Sequence, residues 1–246
     1  MSLVSIKTLG SGGFGIVDLV RSDDGSIFAR KTLSPATSLT PEVIKNIERR
    51  FAREAKTQSG IRHHNIVPVL QAELSASPPY YLMPAAICSL QDDLDQDKTL
   101  GGNWLRAIAD IVAGLDELHQ MGIHHRDLKP QNVLRYPGRR QDDPDYYAIS
   151  DFGLIALNES RLSVLTATGM AKGTDYYTAP EITSDLRKAS AQSDIYSLGC
   201  IIHEMTGTGT RVPCHEIRES GDYGGNTAEL YSIGSSTPVS IRSIGS

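Results

Sequence analysis

The sequence predicts an α+β chain in two lobes, a small antiparallel sheet followed by a mainly helical half. The first third is made of short segments rich in β-branched and apolar residues, parted by glycine-containing turns. From Asn103 onward apolar residues recur at helical spacing, and residues 193–205 are apolar on nearly every side, as in a helix buried within a core.

In chain order, "LVSIKTL" (3–9), "GIVDLVR" (15–21) and "IFARKTL" (27–33) read as strands. "SDDG" (22–25) is a turn signal between the second and third, so they form a meander. A helix follows, capped by Thr40, with Pro41 at its first position and Glu42 at the positive end of its dipole. Val43, Ile44, Ile47, Phe51 and Ala55 share one of its faces. "NIVPVLQAEL" and "YYLMPA" predict two further strands, and the lobes join near "MPAAICS" (83–89). The segment 103–122 predicts a helix capped by Asn103 and closed by Gly122, its apolar face made of residues 105, 108, 111, 112, 115 and 118.

The chain has 246 residues, 39% of them hydrophobic and 22% charged, enough for one large two-lobed domain. A formal net charge of -5 gives no electrostatic reason to expect nucleic acid or an anionic membrane as a partner. Cys88, Cys200 and Cys214 are odd in number and lack metal-ligand spacing, which fits a reducing compartment. The N-terminus is too short and polar for a signal peptide, and no run of 18 apolar residues occurs. A cytoplasmic protein with no membrane span is the expectation.

Gly10, Gly12 and Gly15 stand in G-x-G-x-x-G spacing between two strands, where the backbone can approach a phosphate closely. A hairpin turn alone would also use these glycines, whereas a dinucleotide fold would need a helix directly after them. Lys31 points the same way as Ala29 and Leu33, and Glu54 lies on the apolar face shared with Phe51 and Ala55. A lone buried carboxylate is costly, so a Lys31–Glu54 ion pair would resolve both anomalies. "HRDLKPQN" then places Asp127, Lys129 and Asn132 within six residues, and Asp151-Phe152-Gly153 follows a strand-like "YYAIS". His63, His64, His119, His124 and His125 lack ligand spacing, and "QDDLDQDK" (91–98) lacks the glycine and distal glutamate of a calcium loop; it reads as a solvated helix face.

These motifs, with "GTDYYTAPE" (173–181) and "DIYSLG" (194–199), resemble the eukaryotic-type (Hanks-type) protein kinases in order and spacing. The resemblance implies a two-lobed kinase domain over residues 1–206, with a small lobe at 1–83, a hinge at 84–89 and a large lobe at 90–206. It implies Mg2+ and ATP. Val17 and Ala29 would cover the adenine, Met83 would be the gatekeeper, and the Pro84 carbonyl and Ala86 amide would face the adenine edge. Lys31, paired with Glu54, would reach the phosphates. Asp127 would accept the substrate hydroxyl's proton, Lys129 would steady the γ-phosphate, and Asn132 and Asp151 would hold magnesium. His125 matches the histidine that the family packs behind the Asp-Phe-Gly phenylalanine, and His63 the family's His-x-Asn-Ile element after the helix.

Lys129 and Thr174 resemble the serine/threonine branch, so the implied partner is a protein substrate bearing such a hydroxyl. "TATGMAKGT" (166–174) resembles the activation loop of bacterial-type members. That implies autophosphorylation at Thr166 and Thr168, self-association in trans, and Arg126 meeting the loop phosphate. A pseudokinase or nucleotide-binding interaction module, and a small-molecule phosphotransferase, are the competing classes.

Two departures stand out. Gln58 replaces the apolar or small residue that the family stacks on the Asp-Phe-Gly phenylalanine, so the helix is expected to swing outward when unphosphorylated. After "EMTGTGT", residues 207–225 read as a residual large-lobe loop, and 226–246 as an atypical low-complexity tail with "SIGS" at 232–235 and 243–246. Residues from about 226 are therefore expected not to be native kinase sequence. Without the arginine that later helices would supply, Glu181 is expected to be left near the core without a partner, and the 193–205 helix to expose apolar surface.

Overall fold

A computed structural model describes residues 2–12, 15–35, 39–151, 176–184 and 188–206. β1 (Leu3–Gly12), β2 (Gly15–Ser22) and β3 (Ile27–Leu33) form the expected meander. β4 (Gln71–Glu73) and β5 (Tyr80–Pro84) complete a five-stranded sheet in the order β1-β2-β3-β5-β4. The turn between β2 and β3 closes with the Gly25 N–H donating to the Ser22 carbonyl at 2.9 Å, Gly25 taking φ +88°.

α1 (Pro41–Ser59) begins as its sequence dictates: Thr40 adopts extended backbone, its hydroxyl accepts from the Val43 N–H at 3.5 Å, and Pro41 opens the first turn. Ile47, Phe51, Glu54, Ala55 and Gln58 are its buried residues. The upper core joins Phe51, Ala55, Tyr81 and Met83 to Ala29 and Leu33.

The predicted strand over 65–74 shortens to β4. Asn65 and Val67 bond instead to a later strand: the Ile149 N–H donates to the Asn65 carbonyl at 2.9 Å, and the Val67 N–H to the Ile149 carbonyl at 2.9 Å. Pro68 then has no N–H to extend a ladder.

The lower lobe comprises β6 (Cys88–Ser89), α2 (Leu90–Gln96), α3 (Trp104–Gln120), β7 (Val133–Tyr136), β8 (Tyr146–Ile149), α4 (Pro180–Ser184) and α5 (Ala191–Thr206). β6, β7 and β8 form a small antiparallel sheet. Ala107, Ile111, Gly114, Leu115 and Leu118 line the buried face of α3, whereas Leu105 is 63% exposed. Leu105 lies about 200° round the helix from Ala107, which corrects the predicted face. Asn103 is not a side-chain cap either; its amide donates to the Leu100 carbonyl at 3.3 Å within a preceding 3₁₀ turn. Gly122 ends the helix with φ +71°, as expected.

α5 is buried along most of its length, through Ser193, Asp194, Ser197, Leu198, Cys200, Ile201, Glu204 and Met205, while Ile195 is 41% exposed. Glu181 is not partnerless: the Ser193 hydroxyl donates to its Oε1 at 2.6 Å, correcting that expectation. No helix among the described residues is long and apolar enough to cross a membrane.

Candidate active site

Cross-strand register aligns the upper half of the site. Val17 lies opposite Lys31, and Lys31 opposite Tyr81; two residues along, Leu19 lies opposite Ala29 and Ala29 opposite Met83. Directly opposed residues in an antiparallel ladder project to the same face. Val17, Ala29, Lys31 and Met83 therefore share one face of the sheet, as the sequence predicts.

The Lys31 Nζ lies 2.9 Å from the Glu54 Oε1 and 2.7 Å from the Asp151 Oδ1. Burial works against the ammonium, but Asp151 and Glu54 outweigh it and hold its pKa well above the usual lysine value. Burial would raise the Asp151 carboxyl, yet Lys31 draws it below the ordinary aspartate range.

The expected outward swing of α1 is not seen, because Glu54 reaches Lys31. Gln58, wholly buried, turns its amide onto the Val67 carbonyl at 2.7 Å, so this polar residue secures the helix by a hydrogen bond. Its Oε1 has no hydrogen-bond partner among the described residues. Phe152 and Gly153 lie outside those residues, as do Thr166, Thr168 and Thr174.

Among the three glycines, a Cβ on Gly15 would come within 2.9 Å of the Thr32 carbonyl oxygen, while at Gly10 or Gly12 it would meet nothing within 4 Å among the described residues. Gly15 is thus required by the chain's own packing. The absence of side chains at Gly10 and Gly12 leaves their surroundings open to another molecule.

The lower half is built on the loop between α3 and β7. The Lys129 Nζ contacts the Asp127 Oδ2 at 2.8 Å. The Asn132 amide donates to the Asp127 carbonyl at 2.8 Å and to its Oδ2 at 3.3 Å. The Ser150 N–H donates to the Asn132 carbonyl at 2.8 Å, tying this loop to the stem of Asp151. Arg126 and Asp151 both take positive φ, +67° and +55°. Non-glycine residues held there mark a backbone over-determined by its surroundings. His125 is wholly buried, its Nε2 3.0 Å from the Ser150 carbonyl oxygen. Burial lowers its pKa, against the pull of Asp194 and Asp127.

Asp151 and Asn132 together offer a carboxylate and an amide as oxygen donors, and the Asp151 side chain is one-third exposed. Such a set suits a hard cation that keeps several waters and takes further oxygens from a bound phosphate.

At the hinge, the Tyr136 hydroxyl donates to the Pro84 carbonyl at 3.2 Å, so this acceptor already has one donor from β7. The sequence reading missed Tyr136 and also Tyr81, whose hydroxyl donates to the Glu54 Oε1 at 2.9 Å. The signal for Tyr81 was its place opposite Lys31 once β3 and β5 pair.

The model for the protein kinase domain matches residues 3–239. The chain is 34% identical over 206 residues to the DNA damage-responsive serine/threonine-protein kinase RqkA of Deinococcus radiodurans, covering 81% of this chain and 29% of that protein. It is 33% identical to the serine/threonine-protein kinase AfsK of Streptomyces griseus, covering 78% of this chain and 22% of that one. With the mitogen-activated protein kinase mpkC of Aspergillus niger the identity is 31%, over 81% and 47% respectively. The chain thus spans from about a fifth to about a half of the length of these relatives. The ordered motifs, the paired lysine and glutamate beneath the glycine-rich hairpin, and the family match together place this chain in the protein kinase family.

Proposed function

We propose that this chain transfers the γ-phosphoryl group of Mg-ATP to a serine or threonine hydroxyl of a protein. The observation that carries this reading is the convergence of Lys31, Glu54 and Asp151 at 2.7–2.9 Å, with Asp127 moored to the same Asp151 stem through Asn132 and Ser150. Phosphoryl transfer needs phosphate charge offset and a nucleophile aligned, and no covalent enzyme intermediate. Lys31, fixed by Glu54, places a permanent positive charge beneath the glycine-rich hairpin. Asp127 orients the incoming hydroxyl and accepts its proton, while Lys129, 2.8 Å from it, holds a second positive charge beside the reacting group.

Asp151 and Asn132 would hold magnesium, which when bound offsets charge on the phosphate oxygens. Val17, Ala29, Met83, Pro84 and Ala86 would frame the adenine, its amino group sharing the Pro84 carbonyl with Tyr136. Gly10, Gly12 and Gly15 would admit the phosphates. Supporting the serine/threonine assignment are Lys129 and the relatives whose names carry that activity.

The test is incubation of the purified protein with Mg-ATP and a generic basic protein, followed by phosphoamino-acid identification. Phosphoserine or phosphothreonine should form, and an Asp127→Asn control should be silent. Nucleotide binding without transfer by the wild type, or label unaffected by the control, would overturn the reading.

Thr166 and Thr168 are the proposed autophosphorylation sites, modified in trans between two copies; unchanged activity after phosphatase treatment would remove that switch. Residues 1–206 are the proposed catalytic core, with 207–225 a residual segment and 226–246 an atypical tail, although the family match runs on to residue 239. Limited proteolysis tests this boundary, since a tail as protected as the lobe core contradicts it.

A further inference from the structure

We propose that the hydroxyl of Tyr81 is a positioning group for the Lys31–Glu54 pair: it fixes the Glu54 carboxylate from the sheet side, so that Lys31 stays directed at a nucleotide's phosphates. The inference rests on the reading of Lys31 as a phosphate-binding group. Nothing in the motif pattern assigns a role to Tyr81.

Tyr81 sits in the middle of β5, directly opposite Lys31 on β3, and is 0% exposed. Its hydroxyl donates to the Glu54 Oε1 at 2.9 Å, the same oxygen that receives the Lys31 Nζ at 2.9 Å. Its ring lies 5.2 Å from that of Phe51, one turn before Glu54 on α1, and 5.8 Å from the Lys31 ammonium. One side chain therefore touches the helix, the carboxylate and the lysine together. A buried phenol needs a partner for its O–H, and here the partner is a carboxylate that is itself 1% exposed. Burial raises the phenol's pKa well above its usual value, so it remains a donor at any physiological pH.

The consequence for function follows from the competition at Lys31. Asp151, at 2.7 Å, contends with Glu54 for the same ammonium. A Glu54 oxygen held by Lys31 alone would be as mobile as the lysine. A second, rigid donor attached to the sheet removes that freedom and sets where the lysine's counter-charge lies. It also draws charge from the shared oxygen, leaving Lys31 less fully neutralised and better able to attract phosphate.

Tyr81→Phe removes only the hydroxyl. The expected result is a nucleotide affinity about tenfold weaker, the scale of one hydrogen bond to a charged group, measured by calorimetry with a non-hydrolysable ATP analogue and magnesium. Amide exchange should quicken along residues 48–58 of α1 and remain unchanged in α3. Tyr80→Phe, on the neighbouring residue, should leave both measurements as in the wild type. Tyr81→Met, which also lacks the hydroxyl, should reproduce Tyr81→Phe. In a cycle with Glu54→Gln, the two losses should be less than additive.

Wild-type affinity together with unchanged exchange in α1 would overturn the proposal. So would faster exchange spread evenly through the chain at unaltered affinity, since that is the mark of a merely structural hydroxyl. Should the wild type transfer no phosphate, the catalytic reading falls while the exchange pattern still decides the role of Tyr81.

Discussion

The Asp194 carboxylate on α5 accepts the backbone N–H of Arg126 at 2.8 Å, holding that residue at φ +67°. Its other oxygen accepts the His125 N–H at 2.8 Å and lies 2.8 Å from the His119 Nε2. One buried side chain thus stabilises the strained backbone immediately before Asp127. Asp194→Ala would leave these donors without a partner, at about 1–3 kcal/mol for each buried group. The expected outcome is a clear drop in the denaturant midpoint and a larger proportional loss of turnover, because Arg126 would relax from the left-handed region. Asp194→Asn retains one acceptor oxygen and should be milder. Equal stability of wild type and Asp194→Ala would contradict this account.

Asp127→Asn keeps the volume of the side chain and a hydrogen-bonding oxygen but removes the proton acceptor. Turnover should fall by about two or more orders of magnitude. Affinity for the nucleotide should stay near that of the wild type, since Lys31, Glu54 and Asp151 are untouched. Parallel measurement of turnover and binding separates the two effects.

Gly114 lies where α3 crosses the chain near Asn65. A Cβ there would come within 2.5 Å of the Asn65 carbonyl oxygen and 3.1 Å of the Ile149 Cδ1. The close neighbour is backbone that is bonded to β8, so it cannot simply rotate away. Gly114→Ala should therefore destabilise by about 1–3 kcal/mol or more, despite alanine's better helix propensity. Gly12→Ala meets nothing within 4 Å among the described residues and should leave the unfolding midpoint almost unchanged. Any loss of nucleotide affinity in that variant would then report on the ligand's approach and not on the fold.

The acid limb of stability has two identifiable parts. Burial holds the His125 pKa below its ordinary value, so the unfolded chain takes up a proton that the folded chain refuses. Its share of stability is complete above about pH 6.5 and is lost as pH falls from there toward the folded value. Burial would raise the Asp194 carboxyl, but the His119 hydrogen bond and the nearby His125 draw it below the usual aspartate range. Its contribution persists above about pH 4 and is lost below that. Denaturant midpoints measured from pH 8 to pH 2 should decline in this order. Replacing His125 with phenylalanine should flatten the upper part of the decline, whatever it does to absolute stability.

Much of this site could be read before any coordinates because the sequence contained contradictions that only pairing could resolve. A lysine among the inward residues of β3 and a glutamate on the apolar face of α1 each demanded an opposite charge, and they meet at 2.9 Å. Thr40 and Pro41 marked the start of α1 because capping is a local interaction. What escaped notice were bonds between residues distant in sequence. Tyr81 read as an ordinary strand residue, since a tyrosine in a strand is explained by packing alone, and Tyr136 carried no motif to single it out. Their hydroxyl partners, Glu54 and Pro84, lie 27 and 52 residues away. Gln58 was judged by what it lacks, an apolar surface, whereas the fold uses its amide against Val67. The expected strand after Asn65 contracted because β8 competes for the same backbone groups.

That last exchange has a mechanical meaning. Val67 bonds to Ile149 of the larger lobe through its N–H, while its carbonyl receives Gln58 from the far end of α1. The helix is consequently moored at its C-terminal end to the lobe below, though most of its surface rests on the sheet above. An opening of the cleft that kept this mooring would turn α1 about it, with Thr40 sweeping the wider arc and Glu54, one turn from Gln58, moving little. The residue that has to keep its bearing on Lys31 sits close to the pivot.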